Sequence, residues 1–351
     1  MVFKKRLLHL ILRRATHLPK GKRALDYTLN RMRYQLALRQ RKVVLPHPIS
    51  LMIELTNLCQ LKCITCAREY ALGQAMDTGN MDLAQAKKLI DESHVFLDRI
   101  GLTGLGEPLL YPHLVEILDY IEKQNRGICI FISTNAQVPN TLKIMEAIGD
   151  KIDTLQVSVD GIGEVFESIR SKSDFASSAK NLEAIVKLSK DMRFDVKLNM
   201  VVFSRNYHQL TDIVAFAKQM GLSEIFLNSI NLVSNDWDLS EYRVYETPEF
   251  QRELNKALSL ARKEGIYVEY PKFTTSKGFK HCPYPWNSFY ITWDGFLVPC
   301  CAKPFPKELD FGNVFEGGLL NCINSQKLRE FRRMSISNTA PEFCRRCHYV
   351  E

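Results

Sequence analysis

The 351-residue sequence has no apolar run that could cross a bilayer, which takes about 20 consecutive residues. The longest early stretch, Leu7 to Leu12, is interrupted by His9. No recognisable signal peptide opens the chain, so a reducing, cytoplasmic setting is expected, where ten cysteines bind metal more readily than they pair as disulfides. Acidic residues are nearly missing from the first 45 positions, where Asp26 stands against 13 Lys or Arg. That arm carries a net of +12 against +8 for the whole chain, so the other 306 residues sum to −4. No aromatic-interleaved basic patch follows, which argues against nucleic acid as a partner. Leu25, Leu29, Met32 and Leu36 recur at helical spacing, and Leu7, Leu8, Ile11 and Leu12 mark an earlier apolar face. Two readings are open: a peripheral membrane contact through residues 1–45, or helices packing on the domain behind them.

What is present is a cysteine triplet, Cys59, Cys63 and Cys66, in the run Cys-Gln-Leu-Lys-Cys-Ile-Thr-Cys. Three thiolates at this spacing can converge on one face of an iron–sulfur cube and leave one iron without a protein ligand. Zinc is the competing reading. No C-x2-C or histidine pair completes a zinc set in the next sixty residues.

The middle of the chain alternates. Short β-branched or apolar runs lie at 51–55, 97–103, 128–133, 154–159, 195–202 and 224–230. Helical patterns separate them, at Leu83–His94, Leu114–Gln124, Leu142–Ile148, Ala179–Leu188 and Leu210–Met220. Six β/α repeats imply an α/β fold with a parallel sheet, either a partial (β/α)6 TIM-type barrel or a doubly wound sheet. In both, chemistry sits at the C-terminal strand ends. The triplet follows the first run, Thr103-Gly104-Leu105-Gly106-Glu107-Pro108 the second, Ser133-Thr134-Asn135 the third, and Ser158-Val159-Asp160-Gly161 the fourth, with Arg170 beyond. Each is weak alone; their order behind successive strands is a strong joint signal.

With these motifs in place, residues 48 to 351 resemble the radical S-adenosylmethionine (SAM) enzymes. The resemblance implies that Cys59, Cys63 and Cys66 ligate a [4Fe-4S] cluster whose open iron chelates SAM. It implies that Gly104, Gly106, Glu107 and Pro108 form the turn receiving the SAM ammonium, with Leu105 where a glycine is common. Ser133, Thr134 and Asn135 fall where the family contacts the ribose or methionine part. Ser158 and Arg170 fall where it places a hydroxyl and a carboxylate clamp, and Asn199 is a further SAM contact. Thr65 stands where an aromatic residue is common.

The C-terminal region adds a second thiol group. After a helical stretch, Pro248–Glu264, come Cys282-Pro283, a hairpin signal at Asp294-Gly295, Cys300-Cys301 and Cys344-Arg345-Arg346-Cys347. Four thiolates from three segments can fully ligate a second cluster or a structural zinc. The region resembles the SPASM or twitch extension of radical SAM enzymes, which implies an auxiliary cluster on Cys282, Cys300, Cys344 and Cys347, with Cys301 able to replace Cys300. Cys322, in a helical-looking run from Leu319 to Arg332, and Cys129, within the third strand run, read as core residues. The expected organisation is a basic helical arm at 1–47, a radical SAM core at 48–235, a helical linker at 236–269 and the auxiliary-cluster domain at 270–351, closing the mouth of the barrel.

A fully ligated second cluster suits electron relay, which points to dehydrogenation of a small polar, sugar- or aminocyclitol-like substrate. Redox-neutral epimerisation, peptide maturation and a non-catalytic scaffold are the alternatives. Asn235, Asp236, Trp237, Asp238, Glu241 and Tyr245 are the candidate substrate-facing residues, and a flavodoxin- or ferredoxin-type protein is the expected electron donor.

Overall fold

The computed structural model describes residues 21–231, 233, 239–271, 273, 282–337, 339, 341–345 and 347. The first apolar face of the arm, Leu7 to Leu12, and the loop candidates Asn235, Asp236, Trp237 and Asp238 lie outside these residues.

Six parallel strands form the centre: β1 (Ser50–Ile53), β3 (Arg99–Leu102), β4 (Cys129–Thr134), β5 (Thr154–Ser158), β7 (Asp195–Val202) and β8 (Glu224–Ser229). They match the six expected runs. Beyond β8 lies β9 (Tyr267–Glu269), also parallel. At the other end β10 (Phe289–Ile291) pairs in parallel with β1, and β11 (Leu297–Val298) returns antiparallel to β10. The C-terminal hairpin therefore continues the sheet, rather than standing apart as a cap over the mouth. Its turn requires Gly295, whose φ is +91° and whose absent Cβ would meet the Phe315 ring at 2.3 Å.

Burial alternates along the strands. In β4 and β5 the side chains of Ile130, Ile132, Leu155 and Val157 are buried under the helices, while Phe131, Ser133, Gln156 and Ser158 are half-exposed on the other face. That second face encloses a cavity of about 480 Å³ touched by Met52, Gly101, Phe131, Gln156, Lys197, Phe226 and Glu269. These residues come from seven strands, β1 to β9, so the sheet curves around one space. This is the partial-barrel arrangement the repeats implied. Cys129 lines the same cavity and is half-exposed, not the buried residue its place in a strand suggested. Cys322 is buried in the core, as expected.

Helix boundaries follow local chemistry. Asp82, Asp174 and Thr247 each accept a hydrogen bond from the first helical turn, at Gln85 N, Ser177 N and Phe250 N. The Asp174 cap lengthens the expected 179–188 helix to Phe175–Met192. The run expected as one helix over Leu319–Arg332 is two, Leu319–Ile323 and Gln326–Ile336. Asn324 leaves the helix to exchange hydrogen bonds with the Leu45 backbone at 2.8 and 2.9 Å, and Ser325 caps the next.

The arm forms α1 (Lys22–Arg39), whose buried residues are Asn30, Tyr34 and Ala37. Of the two readings left open for Leu25, Leu29, Met32 and Leu36, packing on the domain behind them is not what these residues do: they point to solvent. Tyr34 donates to the Trp286 carbonyl and Asn30 to His47 O, while Tyr27 and Arg31 both bind Asp98. The chain after α1 is held by Arg332, a fully buried guanidinium that donates to Pro285 O, Val43 O and Ile323 O at 2.8–2.9 Å. Burial lowers its pKa to about 10. Arg332→Met should orphan three buried carbonyls and lower unfolding free energy by about 3 kcal/mol; urea denaturation of the anaerobic protein measures this, and a loss within error would show that water replaces the guanidinium.

Candidate functional site

The cysteine loop leaves the C-terminal end of β1. Thr56 Oγ1 and Asn57 Nδ2 tie its start to Gly79 O and Asp77 O at 3.1 and 2.8 Å. Within the loop β2 (Lys62–Cys63) pairs with β6 (Arg170–Ser171) as a two-residue antiparallel ladder. This pairing sets Cys63 opposite Arg170. Arg68 braces the loop from inside, donating to Cys59 O at 3.1 Å and Leu61 O at 2.5 Å while paired with Glu69. Burial raises all three thiols, Cys63 to about 12 with the Arg170 charge opposing, so cluster loading here must release protons.

The glycine turn lies directly on this loop. A Cβ on Gly106 would meet Thr56 O at 2.2 Å, and Glu107 N donates to Leu58 O at 2.8 Å. Glu107 is buried; its carboxylate accepts from Thr134 Oγ1 at 2.6 Å, Asn135 N at 2.7 Å and Leu109 N at 3.1 Å. It fastens the turn after β3 to the turn after β4. Asn135 carries the connection on, accepting from Gln60 Nε2 at 2.9 Å and approaching Cys59 Sγ at 3.8 Å. Arg170 pairs with buried Asp160 at 2.8 Å, and Asp160 in turn accepts from Val201 N at 2.7 Å.

One cavity of about 150 Å³ is lined by Cys59, Cys63, Cys66, Gly104, Gly106, Glu107, Ser133, Thr134, Asn135, Ser158 and Arg170. Pro108 lies just behind it, buried at the start of a short 3-10 turn. Asn199 is not among the lining residues; its Oδ1 accepts from Asn228 at 2.6 Å. Tyr245, expected to face substrate, is fully buried, donating to Val202 O and accepting from Ile230 N. The sequence reading passed over Asp160, Gln60 and Arg68, although Asp160 stands in the same turn as Ser158. It also passed over Glu54, whose signal is one acid at the end of an apolar strand.

Glu54 is almost fully buried, and its Oε2 accepts from Tyr290 Oη at 2.6 Å and Leu105 N at 2.7 Å. A Cβ on Gly104 would strike this carboxylate at 2.5 Å. Glu54 thus joins β1, the glycine turn and the C-terminal hairpin.

The C-terminal thiols also gather. Cys344 packs against Cys282, and burial, with Cys301, Cys347 and Cys282 nearby, raises the Cys300 thiol. Cys282 and Cys347 are buried and Cys301 is exposed. Among the described residues no three His, Cys, Asp or Glu side chains converge on a single ion. A cubane asks for a different geometry, one thiolate per iron around a wider body.

Comparison with known proteins agrees with this geometry. The Radical SAM superfamily profile matches residues 53–217, and the SPASM iron–sulfur cluster-binding domain profile matches residues 282–348. The antilisterial bacteriocin subtilosin biosynthesis protein AlbA of Bacillus subtilis (strain 168) is 25% identical over 86% of this chain and 64% of its own length. A tungsten-containing aldehyde ferredoxin oxidoreductase cofactor-modifying protein of Pyrococcus furiosus is 24% identical over 85% of this chain and 86% of that one. The PqqA peptide cyclase of Gluconobacter oxydans (strain 621H) is 24% identical over 87% and 84%. The crystal structure of Streptococcus suis SuiB bound to precursor peptide SuiA shares the fold, with a TM-score of 0.67 at 17% identity over 94% of this chain and 78% of that one. This chain thus spans just under two thirds of AlbA and most of the others.

The chain belongs to the radical SAM superfamily. Its C-terminal part is a SPASM-type domain, so a SAM-binding [4Fe-4S] cluster, SAM and auxiliary iron–sulfur chemistry are its cofactors. The residues fit them: three thiols on one loop, two glycines that let the turn pack directly against Glu54 and the cysteine loop, and an Arg170 Nε without a hydrogen-bond partner.

Burial pushes the Glu54 carboxyl up to about 7, against hydrogen bonds from Tyr290 and Leu105 that lower it. The native state then holds a proton that the unfolded state has released above its ordinary value of 4.5, so stability falls as pH rises from 4.5 to 7. Over that window wild type should lose about 3 kcal/mol relative to Glu54→Gln. Urea midpoints of both proteins across the range test this; parallel curves would refute it.

Proposed function

We propose that this chain is a radical SAM enzyme that modifies a peptide, with an auxiliary cluster on the C-terminal thiols that would supply electron-transfer chemistry. The observation that carries the reading is the similarity, along nearly the whole chain, to proteins named for bacteriocin biosynthesis and peptide cyclisation. These comparisons favour the peptide alternative over the small polar substrate, and over the dehydrogenation and epimerisation expected from the cysteine arrangement. A small-molecule substrate is the second reading, favoured by the similarity to the tungsten cofactor-modifying protein.

In this reading Cys59, Cys63 and Cys66 hold the SAM-binding cluster, and Cys282, Cys344, Cys347 with Cys300 or Cys301 hold the auxiliary one. Bound there, SAM and its cluster would supply one-electron hydrogen-abstraction chemistry, with a flavodoxin- or ferredoxin-type protein as the external electron donor. The chain's residues orient it. The backbone of Gly104 to Pro108 faces the amino group, with Glu107 holding that turn in place. Arg170, fixed by Asp160, faces the carboxylate, and Ser133, Thr134, Asn135 and Ser158 face the remaining polar groups. Asn199, hydrogen-bonded to Asn228, stands outside the lining of the thiol-lined cavity.

Anaerobically reconstituted protein should contain about eight irons, falling to about four in Cys282→Ala/Cys344→Ala. An unchanged iron content in that variant would remove the auxiliary cluster from these thiols. With dithionite and SAM the wild type should form 5′-deoxyadenosine, and Cys63→Ala should form none; product from Cys63→Ala would overturn the triplet's role. Incubation with short peptides encoded beside the gene, followed by mass spectrometry, should show a peptide modified in a SAM-dependent way. Peptides left unmodified while a small molecule is turned over would replace the first reading with the second.

A further inference from the structure

Helix α1 has two faces. Asn30, Tyr34 and Ala37 bury one of them and pin it through Trp286 and His47. Leu25, Leu29, Met32 and Leu36 follow each other at intervals of four, three and four residues, so they form one line on the opposite side. They are 58%, 38%, 65% and 47% exposed. The helix cannot roll to bury them without releasing Tyr34. Lys22 and Arg33 flank the line on one side and Arg39 on the other, and among the described residues none of the three is in an ion pair. Asp26, beside Arg33 on the helix surface, is the one acid in the helix.

We infer that this face of α1 docks on an anionic lipid bilayer. A narrow apolar line bordered by cations of one sign matches a helix lying in the plane of a membrane interface, side chains in the acyl boundary and cations among anionic headgroups. The charge is complementary over a wide area, since residues 1–45 carry +12 while the remaining residues sum to −4. Upstream, Leu7, Leu8, Ile11 and Leu12 again stand among Lys4, Lys5, Arg6, Arg13 and Arg14. A second copy of the chain suits the face less well, because self-pairing would bring Arg33 and Arg39 against like charges. The docking is independent of the substrate.

The test is co-sedimentation of the full chain with vesicles of phosphatidylcholine alone and of phosphatidylcholine containing phosphatidylglycerol, at low and high salt. Binding should require phosphatidylglycerol, weaken with salt, and fall at least about tenfold in Leu29→Glu/Met32→Glu. Both substituted side chains are exposed and remote from the cysteine loop, so 5′-deoxyadenosine formation by this variant should match wild type and reports its folding. Absence of binding by wild type would overturn the inference, as would equal binding by the variant, which would reduce the attraction to charge alone. A wild-type dimer that the variant loses, seen by light scattering, would assign the face to a second copy instead.

Discussion

Glu107 sits where three loops meet, and the rest of the site depends on what its carboxylate holds. Its amide reaches back to the cysteine loop at Leu58 O, and its oxygens reach forward to Thr134 and Asn135. Loops at the ends of parallel strands have no ladder of their own, so without such a tie each would relax independently. Burying the carboxylate is costly unless every lone pair in use finds a donor, and here two amides and a hydroxyl supply them. The energy of one well-paired anion thus fixes the spacing between the thiols and the polar rim of the cavity.

A second buried carboxylate, Glu54, does for the two halves of the chain what Glu107 does for the loops. It binds the glycine turn through Leu105 and the hairpin through Tyr290. Asp160 completes the set by aiming Arg170 at the cavity. All three acids lie at or just beyond the C-terminal ends of strands, where a parallel sheet leaves space that apolar side chains do not fill.

Much of this was legible in the sequence because the features were local. The strands announced themselves as short apolar runs, and β7 was bounded to the residue at 195–202. The cysteine spacing, the glycine turn and the Ser-Thr-Asn segment could be ordered along one sheet edge before any coordinate was known. What escaped was non-local. Pairing of β10 with β1 joins residues more than two hundred positions apart, and no periodicity reports it. The apolar line on α1 left two readings open for a related reason: helical spacing shows that residues share a face, not which face the core takes. There Tyr34, with a hydroxyl that reaches a backbone carbonyl, won the interior over four simpler apolar residues. Ser325 and Asn324 were visible as cap-forming types, but only the reach of Asn324 to Leu45 shows why the helix stops there.

The parallel seating of β10 beside β1 has a consequence for biogenesis. Until β10, more than two hundred residues further along the chain, has left the ribosome, β1 is a bare flank, with its Glu54 amide lacking the Ile291 carbonyl and its carboxylate lacking the Tyr290 hydroxyl. The nascent chain therefore carries the first three thiols on a half-supported loop, beside an open strand that invites wrong partners. Arrival of the C-terminal hairpin seals that flank and brings the last thiols in the same event. Closure of that flank and the gathering of the later thiols are in this way tied to one step of folding, and loss of the hairpin would disturb the cysteine loop as well as those thiols.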